Sequence, residues 1–220
     1  MLPFTLLFVI VLAVVGLVSA IVYVDYRQEK KRMEKLQAVA SGMGLSFTSQ
    51  THAETLGAFT GFQLFSHGRA KKITNLIEGE ANDTQVQIFD FRYTTGGGNN
   101  SHTWKQTVIT FRSSKLNLPS FSLRPETIFH KIGAMFGYQD IDFDTHPDFS
   151  RQYLLRGASE EAIRGLFHEG VLCFFDEHPG LCTEGNHDRL IFYRASKRVE
   201  PENIRTFMEE GFKVAGLFMK

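Results

Sequence analysis

The chain has 220 residues, and its 24 Lys plus Arg are balanced by 24 Asp plus Glu. That balance argues against nucleic acid as a main partner, because phosphate backbones are held by a basic excess on one face. Hydrophobic residues make up 43% of the chain and Phe alone occurs 21 times, which supplies a real core and excludes a largely disordered chain. The two cysteines, Cys173 and Cys182, are too few for a disulfide framework, and a bridge between them belongs only to an exported domain.

The first element is Leu2 to Val24, which carries no charged side chain before Asp25. Twenty-three helical residues extend roughly 34 Å, enough to cross a hydrocarbon core of about 30 Å. A cleaved secretory signal needs a basic n-region, which Met-Leu-Pro does not provide, so a retained span through residues 2–24 is expected. Arg27, Lys30, Lys31 and Arg32 follow at once, with Tyr23 and Tyr26 at the expected interface. Cations beside a span stay on the cytoplasmic side, which places the N-terminus outside the inner (plasma) membrane and the rest of the chain inside. The expected organisation is a transmembrane anchor over 1–25, a helical stalk over 26–43 with Met33, Leu36, Val39 and Ala40 on one face, and a cytoplasmic α+β domain over 44–220.

Leu45 to Thr48 is expected as a short strand, Thr51 to Gly61 as a helical turn and loop, and Phe62 to Phe65 as another strand. Ile73–Glu80, Gln85–Tyr93 and Trp104–Arg112 form a predicted antiparallel meander, with turns at Ala81–Thr84 and Thr95–Ser101. In the middle strand, Val86, Ile88, Asp90 and Arg92 share one face and Gln87, Phe89, Phe91 and Tyr93 the other. Pro125 opens a predicted helix to about Phe136, stopped by Gly137. Asp140–Asp144 reads as extended, Tyr153–Arg156 as a strand, and Ser159 caps a helix to about His168. Val171–Asp176 and Arg189–Ala195 are predicted strands around a polar loop, and Pro201 opens a C-terminal helix buried through Ile204, Phe207, Met208 and Phe212. The order specifies an α+β fold: transmembrane helix and stalk, then an antiparallel sheet-rich domain with three further helices.

Four groups of residues bear on chemistry. Asp140, Asp142 and Asp144 share a face of an extended chain, and with His146 in register they are candidate ligands for a hard cation. The same pattern describes a half-buried strand with Ile141 and Phe143 inward and the acids in water. Cys173, His178, Cys182 and His187 lack the close cysteine pair of structural zinc sites, and Gly96–Gly98 has neither P-loop nor dinucleotide context. Arg92, Arg112, Arg124, Arg156 and Arg194 fall in or beside strands, either pairing with Asp90, Asp142 or Asp176 or converging on an anion. No nucleophile elbow or cysteine nucleophile signature occurs, and no cofactor is called for.

Ile88–Tyr93 (IFDFRY), Gln106–Val108, Leu118–Glu126 (LPSFSLRPE), Asp140–Phe143 and Phe149–Tyr153 give the chain a family likeness. It resembles uncharacterised bacterial membrane-anchored proteins that join one or two N-terminal spans to a cytoplasmic α+β domain. The resemblance implies a bacterial, membrane-held protein and carries over no functional residues. The leading expectation is a membrane-tethered, non-catalytic binding or scaffold domain, with the bilayer and a protein at the membrane as partners. The alternatives are a metal-dependent module built on Asp140–Asp148 and a binder of a small apolar or lipid ligand.

Overall fold

The computed structural model describes residues 4–51, 54–81, 83–127 and 140–219. Helix α1 runs unbroken from Phe4 to Gly42, so the apolar stretch and the expected stalk are one rod. Its apolar part is long and apolar enough to cross a membrane, and its large side chains from Phe8 to Tyr26 are exposed. The rod ends in a Schellman motif: Leu45 N–H donates to Ala40 O at 2.9 Å and Gly44 N–H to Ser41 O at 3.1 Å. Gly44 has φ +71°, the left-handed value this cap requires.

Among the described residues eight strands form one antiparallel sheet, the core of an α+β fold. They are β1 (Ser46–Gln50), β2 (Arg69–Ala81), β3 (Thr84–Thr95), β4 (His102–Ser113), β5 (Leu118–Pro125), β6 (Tyr153–Gly157), β7 (Cys182–His187) and β8 (Arg189–Tyr193). Their spatial order is β1-β2-β3-β4-β8-β7-β5-β6. The β7–β8 hairpin is inserted between β4 and β5, which are consecutive in the chain. Among the described residues the short helices are α2 (Glu54–Gly57), α3 (Gln63–Ser66), α4 (Pro147–Gln152), α5 (Glu160–Leu166) and α6 (Glu169–Glu177), followed by the longer α7 (Ile204–Phe218).

Each face of the sheet carries its own core. On one face, Leu36 and Ala40 of α1 and Phe207, Val214 and Phe218 of α7 pack over Ile88, Ile109, Phe111 and Phe192. Fully burying a side chain of the size of Leu36 contributes about 1.5–3 kcal/mol. At Gly211 a Cβ would stand 2.9 Å from the Phe111 ring, so the missing side chain lets α7 lie close on β4. On the other face, Phe59, Phe62 and Phe65 cover Phe89, Phe91, Tyr93 and Ile191. Phe59 stacks on Phe65 with ring centroids 4.7 Å apart.

Strand β2 serves both faces by means of a bulge. Thr74 pairs with Asp90 and Ile77 with Ile88, so Asn75 and Leu76 stand opposite the single residue Phe89. Strict alternation would turn Ile77 away from the α1 side. The extra residue restores it to that core while Ile73 and Leu76 remain in the other. Asn75 takes φ +55°, a conformation that asparagine tolerates better than most residues.

Several segments differ from their sequence-based expectations. Phe62–Phe65 falls on the helical turn α3 and Val171–Asp176 on helix α6, where Val171, Leu172 and Phe175 are buried at helical spacing. Short apolar runs do not separate helix from strand by periodicity. The polar segment Cys182–His187 is an interior strand. Pro125 ends β5, and the helix expected through Phe136 to Gly137 falls mostly outside the described residues. Ser159 does cap a helix, its hydroxyl accepting from Ala162 N–H at 3.4 Å.

Candidate functional site

The inward face of α1 reads Glu29, Arg32, Leu36, Ala40, spacings of three and four that keep a helix stripe on one side. Its lower part is apolar and its upper part is a charged clamp. Arg32, 9% exposed, donates to both Asp90 oxygens, Nε to Oδ2 at 2.7 Å and Nη2 to Oδ1 at 2.8 Å. Asn75 Nδ2 donates to Asp90 Oδ2 at 3.0 Å, and Thr107 Oγ1 donates to Oδ1 at 2.8 Å. Thr107 in turn accepts from Val199 N–H at 2.9 Å. The bulge in β2 is therefore what brings the Asn75 amide to the carboxylate. Burial works against the Arg32 charge, but Asp90 outweighs it and raises the guanidinium pKa.

One turn nearer the apolar end, Arg198 Nη1 donates to both Glu29 oxygens at 2.8 Å, and Lys105 Nζ lies 3.3 Å from Oε1. Burial acts to raise the Glu29 pKa, but Arg198 and Lys105 together hold it below the ordinary glutamate range. A depressed carboxylate pKa contributes stability above the unfolded value that is lost as the pH falls through the folded value. This contact therefore weakens on acidification.

Above the clamp, helix and sheet diverge around a cavity of about 370 Å³. Asp25, Tyr26, Glu29, Lys30 and Met33 form its helix wall. Lys72, Thr74 and Asn75 of β2, Asp90 and Arg92 of β3, and Lys105 of β4 form its floor. Lys72 stands opposite Arg92 and Arg92 opposite Lys105, a row of three cations across three neighbouring strands. Lys105 is engaged by Glu29 at 3.3 Å and Asp25 at 3.9 Å. The exposed Lys72 and Arg92 side chains have no hydrogen-bond or ion-pair partner among the described residues.

The residues singled out in the sequence are dispersed. Tyr23, Tyr26, Arg27, Lys30 and Lys31 are exposed on α1, with the Arg27 guanidinium 5.9 Å from the Tyr23 ring centroid. Arg32, expected among the flanking cations, is buried inside the clamp instead. Asp140 Oδ1 accepts from Ile141 and Leu155 N–H, both at 3.0 Å, tying its loop to β6. Burial raises the Asp140 pKa, and these amides offset it only in part. Asp142 and Asp144 are exposed, while the His146 ring faces Thr145 at 3.0 Å and Cys173 Sγ at 3.7 Å. The structure does not bring these four together: among the described residues no group of three or more His, Cys, Asp or Glu could hold a metal ion. The strand arginines are likewise spread, Arg112 pairing with Asp188, Arg124 with Glu184 and Arg194 with Glu210.

A second polar cluster lies under the aromatic face. Glu184 accepts from Arg124 Nη2 at 2.5 Å, Tyr193 OH at 3.2 Å, and the Gln63 and Leu64 amides at 2.5 and 3.1 Å. The amides open α3, so this carboxylate fastens the aromatic cover to the sheet. Beside it, burial pushes the Cys182 thiol up to about 12. At pH 8 a maleimide or disulfide reagent is expected to modify the exposed Cys173 and to reach Cys182 only after denaturation. Two fast thiols in the native protein would contradict this packing.

The class thus defined is an α+β domain on an eight-stranded antiparallel sheet, with a long apolar-tipped helix clamped to one face. No protein-family model matches the chain, and no curated protein matches it. Among solved structures it is similar to the crystal structure of the mycobacterial trehalose monomycolate transport factor A, TtfA. That likeness has a TM-score of 0.62 and 12% identity, over 85% of this chain and 92% of the other. At that identity it shows the fold.

Proposed function

We propose that the chain is a membrane-tethered, non-catalytic binding and scaffold domain that serves a lipid-related task at the cytoplasmic face of the inner membrane. The observation that carries this reading is the continuity of α1. One rod supplies both the apolar span and, through Glu29, Arg32, Leu36 and Ala40, part of the folded core. A domain so clamped has a fixed stance at the bilayer, with the cleft of Asp25 to Glu29 beside the last apolar turn. The basic flank Arg27, Lys30 and Lys31 supports a cytoplasmic domain. The similar structure is that of a trehalose monomycolate transport factor, which supports a lipid-related role.

The exposed Cys173 supplies the test. In intact cells a membrane-impermeant maleimide should leave the full chain unlabelled, and label it after permeabilisation. Alkaline carbonate should leave the chain in the membrane pellet. Labelling before permeabilisation would reverse the topology, and release into the carbonate supernatant would end the tether.

A further inference from the structure

We infer that the cleft between α1 and β2–β4 is an anion site for a phosphate group, carried by an anionic phospholipid headgroup or by free phosphate, with Lys72 and Arg92 as its principal ligands. The inference deepens the membrane-tethered reading and rests on it for the supply of headgroups at the cleft.

The row Lys72–Arg92–Lys105 is directly cross-strand, which brings Cβ atoms to about 4.5–5.5 Å, and like charges so placed are destabilising. The neighbouring carboxylates relieve only one end of it. Glu29 and Asp25 reach Lys105, while Asp90 is matched by Arg32 from beneath. Lys72 and Arg92 are left side by side on the floor of a concave site of about 370 Å³. A phosphate seated there would bridge the two, accepting a forked pair of N–H bonds from the guanidinium and a single charge-assisted bond from the ammonium. The opposite wall offers the Tyr26 ring and the Met33 thioether, apolar surface suited to the glycerol and first methylenes of an amphiphile. Asp25 and Tyr26 come directly after the apolar run ending at Val24, so a headgroup can enter without its chains leaving the bilayer.

The test uses the full chain in neutral-detergent micelles, with thermal unfolding followed in the presence of dihexanoyl-phosphatidylglycerol, dihexanoyl-phosphatidylcholine or inorganic phosphate. Phosphatidylglycerol should raise the midpoint and phosphatidylcholine should not. In Lys72→Gln/Arg92→Gln the same rise should need about tenfold more lipid or disappear. Without ligand that variant should melt at or above the wild-type temperature, because a repulsion has been removed, so a loss of response is not a loss of fold. Lys35→Gln/Arg205→Gln, with the same charge change at exposed positions outside the cleft, should respond as wild type. Phosphate matching phosphatidylglycerol at equal concentration would support the site and assign it to the free ion. Phosphatidylglycerol acting at about tenfold lower concentration would support it and assign the lipid headgroup. Equal responses to the two lipids, or an unchanged response in the cleft variant, would overturn the inference. The micelle assay is blind to topology, so a failed tether and a failed anion site are separable.

Discussion

Arg32→Met is expected to lower the unfolding free energy of the full chain by about 3–5 kcal/mol, the usual cost of removing one partner of a buried ion pair. Asp90, only 5% exposed, would keep the Asn75 and Thr107 donors but lose the guanidinium that bonds both of its oxygens. The double variant Arg32→Met/Asp90→Leu should recover part of that loss, because it removes the uncompensated charge but leaves the Asn75 amide and Thr107 hydroxyl without their acceptor. Denaturant titration in micelles measures both, with the single tryptophan, Trp104, as reporter in the sheet. A single-variant loss below about 1 kcal/mol would mean that the pair behaves as a solvated surface bridge.

The second large effect belongs to Glu184. Glu184→Gln preserves volume, yet it removes the counter-charge of the buried Arg124 and turns an amide N–H₂ toward groups that themselves donate. A loss of about 3–5 kcal/mol is expected here too. It should come with faster hydrogen exchange at the Gln63 and Leu64 amides, which keep one of their two acceptor oxygens and lose the carboxylate charge, while the α1 clamp on the opposite face keeps its protection. Equal acceleration at both faces would mean global unfolding rather than release of the aromatic cover.

How far the sequence could be read follows from which forces hold each segment. The β2–β4 meander was legible because its two faces alternate, and the predicted partition of Val86, Ile88 and Asp90 against Phe89, Phe91 and Tyr93 matches the two cores. Interior strand β7 was not legible. Its inward positions hold Glu184, stabilised by partners remote in sequence, and Gly185, where a Cβ would stand 2.2 Å from the Phe121 ring. Neither registers as hydrophobic. The cleft was half legible: Arg92 and Asp90 interrupt an apolar face, and pairing the predicted strand ends Tyr93 and Trp104 sets Lys105 opposite Arg92. Lys72 could not be placed that way, since β2 shifts register between Arg69 and Lys72 and again between Thr74 and Ile77. Glu29 and Arg198 belong to elements joined only by the tertiary fold, with no local pattern to announce them.

The strand order also sets a timetable for assembly on the ribosome. The inner edge of β4 is satisfied by β8, residues Arg189–Tyr193, so the two halves of the sheet cannot join until synthesis has passed Tyr193, some eighty residues after β4. Until then β4 offers a row of open backbone donors and acceptors along that edge. On the tethered reading proposed above, holding that edge near a bilayer, apart from other copies, gives α1 a protective part in the birth of the protein before it takes any part in its work. Pairings this distant in sequence make for slow closure, which lengthens the interval over which that protection matters.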